Sequence, residues 1–423
     1  MTIDATTLSG TTTGATAGAT TDRLDALDRI GVIGYPTKRD EAWRYAPHRR
    51  LDDLTFGAPV EVTADVPDLG EQIPTLDGPR VVVVNGIVDL ERSDFACPDG
   101  VRVLGLAAAN AEHPELVRSH FGLVDDEIVD AYQALNLAFG SDGAVVTVSE
   151  DVQLDVPIHI VDIEVPDATQ NATCTGVVIR LGAGSSATVV ETRIGVGSQF
   201  GGSNTRTTIT LDVDATLEHV LLQDVPTEQI HLSRIEVTQH AGSTFNARSF
   251  NLGATYGRVA YDVVLDGPGA TADLSGLFFG FGSQVLDQQI NVVHAARDCV
   301  SRQSFRGVLD DESTGVFNGG IAVRPGADGT DAEQTNDNLL LSMRSEINTQ
   351  PRLEILADDV ACKHGATVGQ LDETAMYYLR SRGIPADEAR RLLINGFADQ
   401  VVDDVGIETV RAWITHRLGH DDV

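Results

Sequence analysis

Lysine is nearly missing. Among 423 residues there are 63 acidic and 30 basic side chains, a formal net charge of −33, and Lys38 and Lys363 are the two lysines. Neither follows the glycine of a G-x-x-x-x-G-K-[ST] loop, which excludes an ATPase of that class. A pI near 4.5 argues against nucleic acid or an anionic membrane surface as a partner, because phosphate groups are held by clustered Lys and Arg. Aromatics make up 5% and hydrophobic residues 42%, so a sizeable core is affordable and must be built of Val, Ile, Leu and Ala. The four cysteines, Cys97, Cys174, Cys299 and Cys362, are far apart and form no C-x-x-C. That excludes a dense disulfide framework, a zinc ribbon and a ferredoxin-type cluster within the chain. No apolar run approaches the ~18 residues of a membrane span; the strongest is Val81–Val84. Residues 1–21 are rich in Thr, Ala and Gly without the basic start and apolar run of a signal peptide, and read as a disordered tail. The sequon Asn171-Ala172-Thr173 therefore reads as chance, and the expected compartment is the cytoplasm.

What is present falls into three zones. Residues 22–140 are mixed and α-rich. Asp22–Ile30 and Pro114–Phe139 carry helical spacing, while Val81–Val84 running into Asn85-Gly86 reads as a strand and turn. A polar-aromatic stretch, Asp40-Glu41-Ala42-Trp43-Arg44-Tyr45-Ala46-Pro47, lies within this zone. In residues 141–369 the helical signal vanishes. Short β-branched runs (Ala144–Val148, Ile158–Val165, Gly176–Leu181, Thr207–Leu211, Ser233–Val237, Val259–Leu265) alternate with Gly, Asp, Asn and Ser. Aligning the turns on Ala187, Ala215, Thr244, Thr271 and Cys299 gives a nearly constant step. Strands at a near-constant step without intervening helices predict a β-solenoid whose stacked coils share one core, with the flanking zones as end caps; a β-sandwich is the alternative. Residues 370–423 are helical. One helix starts at Asp372 and stops at Gly383; Pro385 opens a second with Ala389, Leu392, Leu393, Phe397 and Val401 on one face; a third carries Ile407, Val410, Trp413, Ile414 and Leu418. Their stripes either pack on the solenoid or offer a partner a docking surface.

Few residues carry a chemical signal. Gly182-Ala183-Gly184-Ser185-Ser186-Ala187 fits G-x-G-x-x-[G/A], but Thr188–Thr192 after it is strand-like. A dinucleotide site needs a helix there, so this is a solenoid turn. No G-x-S-x-G elbow exists, and the acidic residues are scattered through turns instead of gathered on one face, against a stand-alone polysaccharide lyase or hydrolase. Cys362-Lys363-His364 is different. On an extended strand residues i and i+2 share a face, and thiolate with imidazole suits zinc, copper or iron–sulfur chemistry. A closed metal site takes four ligands, and nothing else in the sequence is spaced to complete it. The motif reads as part of a site finished by another chain, or as a buried structural cysteine.

From Gln334 onward, Gln334-Thr335-Asn336-Asp337-Asn338-Leu339-Leu340-Leu341-Ser342 is followed by Pro351-Arg352-Leu353-Glu354-Ile355 and by Asp358–Gly369 with Cys362-Lys363-His364-Gly365-Ala366-Thr367-Val368-Gly369. Tyr377-Tyr378-Leu379-Arg380-Ser381-Arg382-Gly383-Ile384 and Gly396-Phe397 come after. Together with Trp43-Arg44-Tyr45, these stretches resemble the SufB/SufD family of iron–sulfur cluster assembly proteins, and the C-x-H-G-A-T-V-G form with the shorter length is closer to the SufD branch.

The resemblance implies a mainly β protein, a right-handed parallel β-helix between an N-terminal α-rich region and a C-terminal helical domain. It implies a scaffold and not an enzyme. Such a scaffold pairs with a SufB-like subunit through the β-helix, or with itself when isolated, and docks a SufC-like ATPase through C-terminal helices, here Arg382 to Val401 and the helix after it. A transient iron–sulfur cluster would form at the partner interface with His364, and less firmly Cys362, as ligands; the chain alone would hold no tight cofactor, and ATP would be bound by the partner. A SufB-like scaffold that itself accepts sulfur is the nearest alternative, against which stands Gly365-Ala366-Thr367-Val368-Gly369 where an E-A-T-T-S-K segment is expected.

Overall fold

Turn residues at short intervals cut the middle of the chain into strands, and each coil buries its apolar side on the coils before and after it. The computed structural model describes residues 2–3, 17–59, 66, 69–121, 130–166 and 171–419. Two parallel sheets face one another. One runs Ala172–Leu181, Gly202–Leu211, Ile230–Gln239, Tyr256–Leu265, Val285–His294, Thr314–Val323 and Glu346–Ile355. The other runs Ile158–Glu164, Ser186–Gly195, Thr216–Asp224, Thr244–Asn251, Thr271–Gly280, Val300–Leu309, Thr330–Leu340 and Val360–Gly369. The chain alternates between them, so each coil contributes one strand to each sheet. This is the parallel β-helix, and the sandwich is excluded.

Register shows how the coils stack. Ile179, Ile209, Val237, Val263, Val292, Ile321 and Leu353 form one continuous inward column. Side chains of this shape fit a pleated surface on both neighbours, which is why so few aromatics suffice. Ser186, Thr216, Thr244, Thr271 and Val300 lie on one rung. The sequence alignment therefore stands one residue late at Ala187 and one early at Ala215 and Cys299, because turn length varies between coils and small residues on either face look alike. One turn column repeats a left-handed residue: Asp151, Asp214 and Asp298 have φ between 57° and 59°, as do Gly184, Gly242, Gly269 and Gly329 between 66° and 79°. Each such amide donates to a carbonyl of the following coil, for example Asp214 N to Ala241 O at 2.9 Å. A Cβ at Gly184, Gly242 or Gly329 would collide with the carboxylate of Asp151, Asp214 or Asp298 in the preceding coil, so each aspartate of the column is followed by glycine for lack of space.

The two ends differ. At the N-terminal end, Arg80–Val84 joins the second sheet and Ile87–Val88 pairs back on it antiparallel, while Val101–Gly105 pairs antiparallel with Gly143–Val148 of the first. Val81, Val83, Val101 and Val103 enter the lumen core, with Val88, Phe95 and Cys97 packed against it. So strands of the solenoid lie inside the segment read as α-rich. Of the expected tail, Thr2–Ile3 pairs with Thr55–Phe56 and the first helix spans Ala17–Ile33; the remaining positions fall outside the described residues. The helix expected over Pro114–Phe139 is described as Pro114–Phe121 and Ala131–Phe139. The second of these is buried at every residue, capped by the Asp130 carboxylate on the Tyr132 and Gln133 amides, and its Asn136 donates to the Thr175 and Asn204 carbonyls. Trp43 stacks on Tyr132 at 4.8 Å between ring centroids and beneath Arg258 at 3.9 Å, so the polar-aromatic stretch is a clamp on the sheet's outer face.

The C-terminal zone does not act as the expected end cap. Helix Ala386–Val402 lies along the outer face of the second sheet, where Arg306 sits over the Phe397 ring and Arg390 pairs with Asp310 at 2.7 Å. Ala398, Val401, Val410, Trp413 and Ile414 share a core with Val220, Phe250, Leu277 and Val308. The final coil, Glu346–Ile355 and Val360–Gly369, is left with one sheet neighbour on each strand.

Candidate functional site

Val360–Gly369 pairs only with Thr330–Leu340, placing Cys362 above Ala332 and His364 above Gln334. Ala332 and Gln334 point into the lumen and are fully buried, so Cys362 and His364 both sit on the lumen side of the last rung. Their surroundings separate them. Cys362 packs with Val360, Leu353, Ala357 and Ala332 near the turn. Burial, and then the charge of Asp331, push its thiol pKa up, which favours the protonated form over the ligating thiolate. His364 is exposed. Lys363 faces the other way and pairs with Glu333 at 2.9 Å. Among the described residues no group of three or more His, Cys, Asp or Glu side chains could hold a metal ion. An imidazole on an open rim with a half-buried thiol beside it can supply one or two ligands, not four.

The strand around it is itself a chemical feature. Ile355 and Val368 are exposed on this coil, as is Met343 in the preceding turn. The outward N–H and C=O groups of both terminal strands have no sheet partner, the arrangement that accepts another chain's strand. Helix Glu373–Ser381, which leaves this coil, buries none of its residues, and Tyr377 and Tyr378 are 76% and 56% exposed. The stripe of Ala386–Val402 expected as a docking face is used internally, and the free aromatic surface lies one helix earlier.

Deep in the lumen at the closed end is a charged cluster that the sequence reading missed. Arg193 pairs with Glu191 and lies 3.5 Å from Asp162; Glu191 also accepts from Thr207 at 3.0 Å and contacts His219 Nε2 at 2.8 Å. All are buried. Burial alone would raise the Glu191 carboxyl, but the Arg193 charge and the His219 hydrogen bond bring it down to about 2. Glu164, beside Thr173 at 2.5 Å, pairs with no cation among the described residues and is pushed well up by burial. Nothing in Glu191-Thr192-Arg193 marks it in sequence, because its partners come from separate coils.

The solenoid is thus covered at one end and at the other leaves a free sheet edge with an exposed imidazole on its rim. Comparison with known proteins gives it a family. Residues 165–397 match the model described as "SUF system FeS cluster assembly, SufBD core domain", and residues 12–160 match "SufBD protein N-terminal region". The chain belongs to the SufBD family of iron–sulfur cluster assembly proteins. It is similar to the iron–sulfur cluster assembly protein SufD of Escherichia coli, 28% identical over 397 residues that cover 93% of this chain and 90% of that one. A SufBD family protein of Synechocystis is 27% identical over 399 residues, 92% and 88% of the two chains. SufD of Bacillus subtilis is 29% identical over 318 residues, 74% and 72%.

Proposed function

We propose that this chain is a non-catalytic, SufD-like scaffold subunit of a cytoplasmic iron–sulfur cluster assembly complex. It pairs through its open coil with a SufB-like subunit, and the nascent cluster forms at their junction with His364 as this chain's ligand and Cys362 as a secondary one. The observation that carries the reading is the coincidence of the exposed edge with the rim imidazole: the ligand set is incomplete at the place where a second chain would add its strand. A SufC-like ATPase, which would bind the ATP, docks on Glu373–Ser381 and the outer side of Ala386–Val402. The cluster is cargo, held only while the interface is formed.

Iron and acid-labile sulfide are measured in the complex co-purified with SufB-like and SufC-like subunits. His364→Ala is expected to assemble in the same subunit ratio and to hold little cluster. Equal cluster content would make the imidazole structural, and failure of the wild-type chain to capture the partners would remove the pairing.

A further inference from the structure

Gln334 opens the stretch Gln334–Ser342 and has no part in the site so far. On its strand Gln334, Asn336 and Asn338 all face the lumen, 0%, 0% and 3% exposed. Asn336 Nδ2 donates to the Phe305 carbonyl at 3.2 Å and Asn338 Nδ2 to the Thr367 carbonyl at 3.1 Å, so these two amides tie neighbouring strands together. Gln334 is different: neither its Oε1 nor its Nε2 has a hydrogen-bond partner, and the same is true of Gln303. Gln303, Gln334 and His364 are consecutive register partners on adjacent strands. Parallel strands stand ~4.8 Å apart, the spacing at which in-register side-chain amides hydrogen-bond along a stack. Opposite them Gly319 leaves the room: a Cβ there would overlap the Gln334 amide.

Buried amides without partners are costly to keep. Two in succession lie in register directly beneath the rim imidazole, with donor and acceptor capacity unused. We infer that Gln334 is the positioning residue for His364. When a partner covers the open coil, the imidazole turns over the lumen and donates one ring N–H to Gln334 Oε1, while Gln303 supports the Gln334 amide from below. Fixing the proton on the inner nitrogen leaves the outer nitrogen with its lone pair toward the junction, the tautomer a metal ligand needs. This rests on the proposed role of His364.

The test uses the full complex with this chain labelled with ¹⁵N-histidine, the His364 ring signal being the one lost in His364→Ala. Wild type is expected to show a single tautomer. Gln334→Met, of similar length but without polar atoms, should show a mixture, keep the subunit ratio and lose cluster by roughly 10-fold, the usual scale for removing an outer partner of a ligating histidine. Gln334→Glu, whose carboxylate also accepts the N–H, should restore the single tautomer. Gln303→Met, one layer deeper, gives a second route if Gln334→Met does not fold, and should shift the tautomer partially. An unchanged tautomer and cluster content in Gln334→Met, with cluster lost in His364→Ala, would overturn the inference alone. Retention of cluster in His364→Ala would instead sink the parent reading, and the tautomer signal would still decide whether Gln334 touches the ring.

Discussion

The two ends of one solenoid solve opposite problems. At the closed end, strands 80–84 and 101–105 cover the lumen, and Arg193 and Glu191 survive there as an ion pair, with Asp162 3.5 Å from Arg193 and with Thr207 and His219 bonded to Glu191. At the open end the same lumen stops at a bare rung, and Gln303 and Gln334 remain unsatisfied. A buried charge is tolerable where a charge of opposite sign from a neighbouring strand pairs with it, whereas a neutral amide beneath a bare rung has room for a partner from outside the chain. The contrast sets the buried charges expected to carry stability at the closed end against the proposed function at the open one.

The comparison breaks most visibly at Arg193. Arg193→Met should destabilise the fold by about 3–5 kcal/mol, since it strands Glu191 and Asp162 in the lumen; chemical denaturation measures it, and a loss under about 1 kcal/mol would show the cluster is solvated. Acid probes the same end. His159 and His231 are lowered to about 3 by burial, with the charges of Arg80 and Arg193 adding to it. Their folded pKa lies below the unfolded value of about 6.5, so the unfolded chain takes the proton first. Stability should be full above about pH 6.5 and fall as pH drops toward 3, by up to about 1.4 kcal/mol per pH unit for each histidine. Glu164, pushed up by burial, works the other way and becomes less costly as it protonates. A denaturation midpoint that is flat between pH 6.5 and 4.5 would mean that these two terms cancel or that the histidines are hydrated.

The open end should respond in function and hardly in stability. His364→Ala is expected to move unfolding free energy by no more than about 0.5 kcal/mol, as exposed side chains do, while emptying the complex of iron. The smallest stability effect belongs to Tyr377→Ser with Tyr378→Ser, which should leave the unfolding midpoint unchanged and weaken retention of the ATPase subunit on a pull-down. A drop in the midpoint would show that the aromatic pair is part of the fold and not a docking face.

The solenoid was legible because Val, Ile and Leu recur on one side of every coil: Ile209, Val237 and Val263 were enough to mark strands. Three of those runs, Gly176–Leu181, Thr207–Leu211 and Ser233–Val237, covered only the apolar half of a strand, however. Gly202-Ser203-Asn204-Thr205-Arg206 reads as loop by composition and is strand because Ser203 and Thr205 face a polar half of the lumen. The lumen cluster was illegible for the same reason, since register and not spacing brings Asp162, Arg193 and His219 together. Cys362 and His364 could be placed on one face by parity, yet their unequal burial depends on where the stack stops. The C-terminal helices were visible as amphipathic segments, but which stripe faces the sheet was decided by Arg306 and Phe250 on strands 50 or more residues away.

The scarcity of lysine has a use. Lys363 is exposed on the terminal strand beside His364, and the other lysine, Lys38, lies in a separate exposed segment. An amine-directed cross-linker, or a protease that cuts only after lysine, therefore reads the side chains of this protein at two addresses, one of them on the rung where another subunit would sit. Protection of Lys363 with Lys38 still reactive would report occupancy of the open coil in a crude mixture, with no label introduced.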